Sequence, residues 1–341
     1  MDNSKLKNIA INLVQAESES EVVAILKNNN LYDNYKCWRA FGDNENNFST
    51  TGNQQKSGEA ALVEKLINSV DSTLTKECLK NGIQPDSPKA PKNITKAVEK
   101  FYDIANGKLT NISPSHRTKI AEENIGVVCT GNLPRKGNPS YTIFDFGEGQ
   151  TPEMIPKTFM SIGASNKIRI PFVQGKFNMG GTGVFRFSPN NACQLLLTKR
   201  NPEIINENSS DNNNFWGFSI VRRIPPEGNM RSSKYVYLVN PETNIPYAFT
   251  ANELFVLPGK YPEKFTRPMA YGSLIKLYEY QVETRNKTNI TLDLYNRLSL
   301  LMPSLALPIR LYERREGYSA NSYETTLNGL SVRLEEDKSG N

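Results

Sequence analysis

Residues 59–79 read EAALVEKLINSVDSTLTKECL, and this stretch decides the fold. Its apolar residues recur at spacings of three and four positions, which is the pattern of a helix with one buried stripe. The residues of that stripe are Ala60, Val63, Leu66, Ile67, Val70 and Leu74. Glu64, Asn68 and Asp71 stand at i, i+4 and i+7, so their side chains share one helix face beside the stripe. The pattern predicts a long helix whose polar face borders a partly buried cleft.

The three polar side chains suit magnesium-dependent phosphate chemistry. Magnesium prefers oxygen ligands and keeps several waters, so one Asn carbonyl oxygen is enough if phosphate oxygens supply the rest. A nearby carboxylate can polarise a water molecule toward the terminal phosphate. Polar pairs at this spacing also occur on many solvated helix faces, and the helix taken alone favours that plainer interpretation.

The second motif is DFGEG, which begins at Asp145 directly after the apolar residues 141–144. Gly147 and Gly149 let the backbone turn sharply and approach a ligand closely. An aspartate at a strand end can accept a hydrogen bond from an exocyclic amine. Aspartate and glycine close together also mark ordinary surface turns, which is the interpretation that this motif favours by itself.

The third motif is the glycine-rich stretch GKFNMGGTG of residues 175–183, which ends in Gly181, Thr182 and Gly183. Backbone N–H groups freed by glycine at the start of a helix can bind phosphate. The stretch does not match the G-x-x-x-x-G-K-[ST] loop and follows no βαβ unit. Alone it is weak evidence for a phosphate site.

Composition excludes several other chemistries. Lys and Arg number 41 against 35 acidic residues, a surplus of +6 that permits nucleic acid as a partner without indicating it. His116 is the only histidine, which excludes a cage of two or three imidazoles, and we expect it in an exposed loop. The four cysteines form no C-x-x-C pair. The polar N-terminus and the lack of roughly 18 to 20 consecutive apolar residues predict a cytoplasmic protein without a membrane partner.

The order of the patterns predicts an α+β fold. Residues 1–58 read as an amphipathic helix followed by a polar, asparagine-rich arm, and residues 93–107 read as a second helix inside an insertion at 81–120. Strand patterns then follow; they are NIGVVCTG, SYTIFDFGEG, ACQLLLTKR, FWGFSIVRR, KYVYLVN and YGSLIKLYEYQ. Helices followed by strands predict a two-layer sandwich, with helices on one face of a mixed, mostly antiparallel sheet.

In their shared order the three motifs resemble those of the GHKL (Bergerat-fold) superfamily of ATPases. That superfamily includes gyrase, heat-shock chaperone ATPases, histidine kinases and the mismatch-repair MutL proteins. ALVEKLINSVDS is similar to its N-box, DFGEG to its D-x-G-x-G motif, and GGTG to the end of its second glycine motif. The resemblance covers residues 59–280 and is closest to the MutL, Morc and chaperone types. One departure is Asn178, which stands where the family has glycine; asparagine tolerates unusual backbone angles.

The resemblance implies ATP and Mg²⁺ as cofactors and assigns a role to each matching residue. Glu64 would be the general base that orients the attacking water, Asn68 the magnesium ligand, and Asp71 a polar support of the nucleotide site. Asp145 would bind the adenine amino group. The base pocket would be shaped by Gly147 and Gly149.

The same resemblance implies an ATP lid over residues 161–183. SIGASNK resembles the lid entry of the MutL and Morc types, which makes Ser165 and Lys167 candidate phosphate contacts. Backbone donors to the phosphates would come from Gly181, Thr182 and Gly183. Ser273, in YGSLIKLYEY, is the candidate that faces the purine.

Within the superfamily, the resemblance favours an ATPase that works as a nucleotide-driven switch and forms an ATP-dependent homodimer, in DNA repair or bacterial genome defence. Residues 281–341 resemble the beginning of a transducer domain, so further domains or a partner subunit are expected. Two alternatives stay open: a chaperone or remodelling ATPase that acts on protein, and a nucleotide sensor without turnover. DNA contacts would fall to scattered arginines, which are Arg222, Arg223, Arg231, Arg314 and Arg315.

Overall fold

The structure is a computed structural model. It describes residues 1–51, 55–133, 136–163, 167–175, 180–188, 190–204, 214–226, 228, 231–282, 289–317 and 323–339. The helices are α1 (Asn3–Gln15), α2 (Glu19–Asn28), α3 (Asn47–Thr51), α4 (Gly58–Lys80), α5 (Ile94–Tyr102), α6 (Pro114–Asn124), α7 (Asp293–Leu301) and α8 (Leu330–Ser339). Over these ranges, none of the helices is both long enough and apolar enough to cross a bilayer.

Most of the strands follow one another between α6 and α7, and they lie mainly in the second half of the chain. They are β1 (Trp38–Ala40), β2 (Ile125–Gly131), β3 (Pro139–Asp145), β4 (Gln194–Lys199), β5 (Phe215–Ile224), β6 (Lys234–Leu238), β7 (Tyr247–Thr250), β8 (Leu254–Leu257), β9 (Arg267–Met269), β10 (Gly272–Leu277), β11 (Ile309–Glu313) and β12 (Glu324–Leu327). All six of the strands expected from the sequence are present.

A ten-stranded mixed sheet forms the centre of the fold. Its strand order is β1-β6-β5-β4-β10-β3-β2-β11-β12, and β7 also pairs with β5. Neighbouring strands run antiparallel except β11, which lies parallel to β2. Strands β8 and β9 form a separate pair. The expected α+β class with a mixed sheet is therefore confirmed.

The long helix α4 forms where the periodicity predicts it. The hydroxyl of Ser57 accepts a hydrogen bond from Ala60 N over 3.2 Å, which caps the free N–H groups of the first turn. Three members of the predicted stripe, Leu66, Val70 and Leu74, are at most 2% exposed. The other three, Ala60, Val63 and Ile67, are only partly buried. Packing of this stripe fixes which face of α4 is left for the polar side chains.

Both faces of the sheet are covered by helices, whereas the sequence predicts helices on one face only. Side chains alternate along a strand, so Ile275 packs in the core with α4 to α7 and Leu274 packs with α1 and α2. Strand β4 is apolar on both faces in the same way, since Leu196 lies in one core and Leu195 in the other. A sheet that is apolar on both faces needs a cover on each. Helices α1 and α2 supply the second cover.

The segments expected at either end of the chain both join the central sheet. After α2, Trp38–Ala40 pairs with β6 at one edge of the sheet, so the arm packs on its own chain over this part. Near the other end, Leu311 of β11 pairs with Val127 of β2, and α7 packs against α4. The sequence places a new domain from residue 281, but here the chain adds strands to the sheet that is already present.

Helix α6 was not expected, because its first turn is the polar sequence PSHR. Ser113 caps it by accepting a hydrogen bond from His116 N over 3.2 Å, and Pro114 occupies its first position. His116 is exposed as expected, although it lies on a helix and not in a loop.

Candidate functional site

A row of three polar side chains crosses the sheet at the end of β3. Ser273 of β10 lies directly opposite Asp145 on one side and opposite Thr198 of β4 on the other. Directly opposed residues of antiparallel strands point to the same face, and here that face is the one covered by α4. The hydroxyls of Thr198 and Ser273 are 3.0 Å apart. The pairing thus brings together Ser273 and Asp145, the two residues for which the sequence predicts contacts with a purine.

Asp145 is buried and its carboxylate is held by α4 and by its own turn. Ser69 donates a hydrogen bond to Oδ2 over 3.0 Å, and the N–H of Gly147 donates to Oδ1 over 3.0 Å. Burial raises the pKa of Asp145 to about 7, although hydrogen bonds from Ser69, Gly147 and Ser72 act in the opposite direction. A further donor such as an exocyclic amine would favour the ionised carboxylate.

Two glycines of DFGEG permit close backbone contacts on opposite sides of the turn. A Cβ atom on Gly147 would lie 2.1 Å from Ser72 Oγ of α4. Gly149 has a φ of +60°, and a Cβ atom there would lie 1.9 Å from the carbonyl oxygen of Lys199 at the end of β4. The turn is therefore wedged between α4 and β4, and side chains larger than hydrogen do not fit at either position.

One face of α4 carries a row of residues at spacings of four, three and four, which we call the α4 row: Ala61, Lys65, Asn68 and Ser72. Four glycines from the DFGEG turn and the glycine-rich stretch lie against it; we call them the glycine row. Gly147 lies nearest to Ser72, Gly175 to Asn68 and Gly181 to Lys65. Gly183 lies nearest to Gln55, and a Cβ atom on it would be 3.8 Å from the Cβ of Ala61. Segments far apart in the chain therefore place backbone without side chains along one helix face.

Asp71 fastens the lid segment to α4. Its side chain is fully buried, and its two oxygens accept hydrogen bonds from the N–H groups of Gln174 and Gly175 over 2.9 and 2.8 Å. Lys167 reaches the same place, since its ammonium lies 3.2 Å from Asn68 Oδ1 and 3.5 Å from Asp71 Oδ2. Asp71 therefore anchors residues 174 and 175 to α4, and its role as a support of a nucleotide site stays a prediction.

Glu64 and Lys65 lie side by side on α4, one turn before Asn68. Glu64 is half-buried. Lys65 is buried, and a Cβ atom on Gly181 would be 3.6 Å from its ammonium. Burial lowers the pKa of Lys65 to about 7, against the opposing effect of the Glu64 charge. Of these two residues, Lys65 borders the glycine-rich stretch at Gly181.

Neither protein-family models nor curated proteins match this chain. The geometry of the site therefore carries the functional argument.

The oxygen atoms around Asn68 suit a cation. Asn68 Oδ1 and Asp71 Oδ2 both accept from the Lys167 ammonium, so a positive charge already lies against them. In the part of the chain that the structure describes, no three His, Cys, Asp or Glu side chains come together as a metal cage. A magnesium ion at Asn68 would need phosphate oxygens and water as its other ligands, and magnesium commonly binds in this way.

Several residues of the site are absent from the sequence prediction. Ser69 and Ser72 hold the DFGEG turn against α4, Thr198 extends the polar row, and Lys65 faces Gly181. Thr198 also accepts a hydrogen bond from Gln150 N over 3.0 Å. The sequence could have indicated the two serines as site residues, because they directly follow Asn68 and Asp71 in the same motif. The predicted contact Ser165 and the family departure Asn178 lie outside the described residues.

Most of the arginines considered for DNA contact are engaged inside the protein. Arg314 and Arg315 are 0% and 2% exposed and pair with Glu324 and Glu313. The guanidinium of Arg222 lies 3.9 and 4.0 Å from the ring centres of Tyr32 and Trp38. These three arginines are structural, which corrects their interpretation as surface phosphate contacts; Arg231 is exposed.

Proposed function

We propose that this protein binds ATP with Mg²⁺ and hydrolyses it in a GHKL-type pocket formed by α4, the DFGEG turn and the glycine-rich stretch. The observation that carries the proposal is the alignment of the glycine row along the α4 row. Backbone without side chains can approach phosphate closely and offer N–H donors to it. The alignment joins the motif of the base pocket to the motif of the phosphates on a single helix face.

The polar row at the sheet end would bind the base. The carboxylate of Asp145 accepts hydrogen bonds only, so it suits the amino group of adenine. The hydroxyls of Ser273 and Thr198 can donate or accept, which suits the ring nitrogens of a purine. Because Ser69 and Gly147 already orient the carboxylate, binding would require little rearrangement there.

Glu64 would orient the attacking water, and Asn68 would hold the magnesium ion. The two residues are one helical turn apart on α4, so the carboxylate and the amide oxygen lie on the same side of the helix. Among the described residues, no hydrogen bond occupies the Glu64 carboxylate, which leaves it able to accept one from water. The ion, when bound with the nucleotide, would offset charge on the phosphate oxygens.

The contacts of Lys167 provide a means for the nucleotide to change the lid. The ammonium now rests on Asn68 and Asp71. Phosphate groups would attract it, and magnesium would compete for the oxygen of Asn68. ATP binding would then shift the lid and, in a dimer, the contact between protomers. A remodelling ATPase would use the same pocket with a protein client, and a nucleotide sensor would use it without turnover.

Calorimetric titration with MgATP, MgADP and MgGTP, together with an assay of phosphate release, tests the proposal. We expect binding of ATP and ADP, weaker binding of GTP because Asp145 cannot accept from its O6 position, and slow phosphate release. Titration with DNA at low and high salt separates a DNA client from a protein client. Absence of adenine-nucleotide binding at millimolar concentration would overturn the proposal.

A further inference from the structure

Four lysines are buried in the described part of the chain. The ammonium of Lys65 is the one for which no hydrogen-bond acceptor is found among the described residues. Lys76 pairs with Glu77 over 2.8 Å, Lys199 donates to Ala251 O over 2.9 Å, and Lys276 donates to Val14 O over 2.7 Å. Lys65 is 7% exposed, and no hydrogen bond of its ammonium is found among the described residues. A lysine ammonium that is largely withdrawn from water and has no hydrogen-bond acceptor lowers stability unless something compensates for it.

The position of the Lys65 ammonium indicates which kind of group could pair with its charge. Lys65 belongs to the α4 row and faces Gly181, 3.6 Å from the place that a Cβ atom would occupy. Gly181 and the buried Thr182 follow one another in the short helix Gly180–Phe187, which packs on α4. Glu64 is the neighbouring charge, but it lies beside Lys65 along the helix and not across from it. The side chain therefore points toward the glycine-rich backbone.

We infer that Lys65 binds an oxygen of the nucleotide phosphate chain, reaching it from α4 while the glycine-rich stretch reaches it from the opposite side. The inference rests on the proposed function. A lysine ammonium is a compact charge with three donors, which suits a phosphate oxygen. The helix that carries the general base would thus also carry a cation for the phosphates. Lys65 would act by binding, since the proton transfers are assigned elsewhere.

Lys65→Met is the decisive variant, because it keeps the length of the side chain and removes its charge. Lys76→Met is the matched control, since Lys76 is also buried on α4 and lies three turns away, about 16 Å along the helix. Each variant is titrated with MgATP, adenosine and inorganic tripolyphosphate, and the thermal midpoint of the ligand-free protein is recorded. Lys65→Arg tests whether a charge of different shape restores binding.

We expect Lys65→Met to weaken the binding of MgATP and of tripolyphosphate at least about tenfold. Adenosine should bind the variant with the same affinity as the parent. The ligand-free variant should melt at the parent temperature or above it, because an unpaired buried charge has been removed. Lys76→Met should keep the affinity for MgATP and melt lower, because Glu77 loses its partner. If Lys65→Met does not fold, Lys65→Gln supplies the same comparison.

The outcomes separate the inference from the proposed function. If the parent binds MgATP and Lys65→Met binds it equally well, Lys65 is structural and the inference is wrong while the function stands. If the parent binds tripolyphosphate through Lys65 but neither MgATP nor adenosine, the function is wrong and the anion site remains. If none of the three probes binds the parent, both are wrong.

Discussion

Ser69 of α4 donates a hydrogen bond to Asp145 Oδ2 at the end of β3, over 3.0 Å. Gly147 N holds the other carboxylate oxygen over 3.0 Å, so both oxygens are oriented within the protein. The contact ties the long helix to the sheet at the place where the base of the nucleotide would lie. It also makes the protonation state of one buried carboxyl important for binding and for stability.

Asp145→Asn should weaken the binding of adenine nucleotides by about tenfold or more, because a hydrogen bond to a charged acceptor contributes about 1.5 to 3 kcal/mol. Tripolyphosphate has no base and should bind the variant as it binds the parent. Calorimetric titration measures both. Asp86→Asn, at an exposed position, is the control. Equal losses for ATP and tripolyphosphate would show that Asp145 does not act through the base.

The stability of the ligand-free protein should fall as pH rises between about 4 and 7. Burial raises the folded-state pKa of Asp145 from 3.8 to about 7, so the native state holds a proton that the unfolded chain releases. At low pH the protonated Asp145 therefore makes a favourable contribution to the free energy of unfolding. This contribution is at most about 4 kcal/mol, and it is lost as the pH rises across that window. Urea unfolding of the parent and Asp145→Asn at pH 5 and pH 8 should give a smaller pH difference for the variant. Identical pH differences would contradict the assignment.

Glu64→Gln should bind ATP within about threefold of the parent and release phosphate at least about 100-fold more slowly, since a positioned base typically contributes 10²-fold or more. Phosphate release at saturating MgATP measures the rate. Glu77→Gln on the same helix, whose carboxylate pairs with Lys76, should keep the parent rate. A parent rate in Glu64→Gln would remove Glu64 from the mechanism.

Asp71→Ala should release the lid segment from α4. The N–H groups of Gln174 and Gly175 lose their acceptor, at a cost of about 3 to 6 kcal/mol for two hydrogen bonds to a buried charge. Hydrogen exchange followed by mass spectrometry should show faster exchange in peptides that cover residues 167–175. Asp86→Ala should leave that exchange unchanged. Unaltered protection of Gln174 and Gly175 in Asp71→Ala would mean that other contacts hold the lid.

Gly149→Ala and Gly82→Ala separate steric contact from backbone strain. Both glycines have positive φ, +60° and +68°, but only Gly149 has a neighbour within reach, Lys199 O at 1.9 Å from an added Cβ. Gly82→Ala should lower the free energy of unfolding by about 1 kcal/mol and Gly149→Ala by clearly more. Urea unfolding gives both values. A similar loss in the two variants would show that the turn can move away from β4.

The helix of residues 58–80 and the six long strands could be predicted because each is long enough for its own hydrophobic period to appear. Helix α6 could not, since its buried residues include Arg117, which donates to the carbonyl oxygens of Leu109 and Ile112 over 3.0 Å each. Only two of its four buried residues, Ile120 and Ala121, are apolar, so its sequence carries no clear apolar stripe. The second helical cover of the sheet was missed because strand patterns do not say which segment fills each face.

The site was predictable in its motifs but not in the contacts between them. Asp145 and DFGEG follow from a strand-end pattern, whereas the partner of Asp145 is Ser69, 76 positions earlier in the chain. Lys65 reads as an ordinary polar residue of an amphipathic helix. It is nevertheless buried, and Gly181, more than a hundred residues later in the chain, lies close to its ammonium. Spacing within a motif cannot reveal such long-range packing.

Helices α1 and α2 cover the face of the sheet that lies opposite the proposed nucleotide site. Without them, Leu195, Leu197 and Phe218, all fully buried, would meet water as one apolar surface. A fragment trimmed to begin at α4 would contain every motif that suggests ATP and would still aggregate. The smallest unit that folds is therefore longer than the region that the motifs mark out.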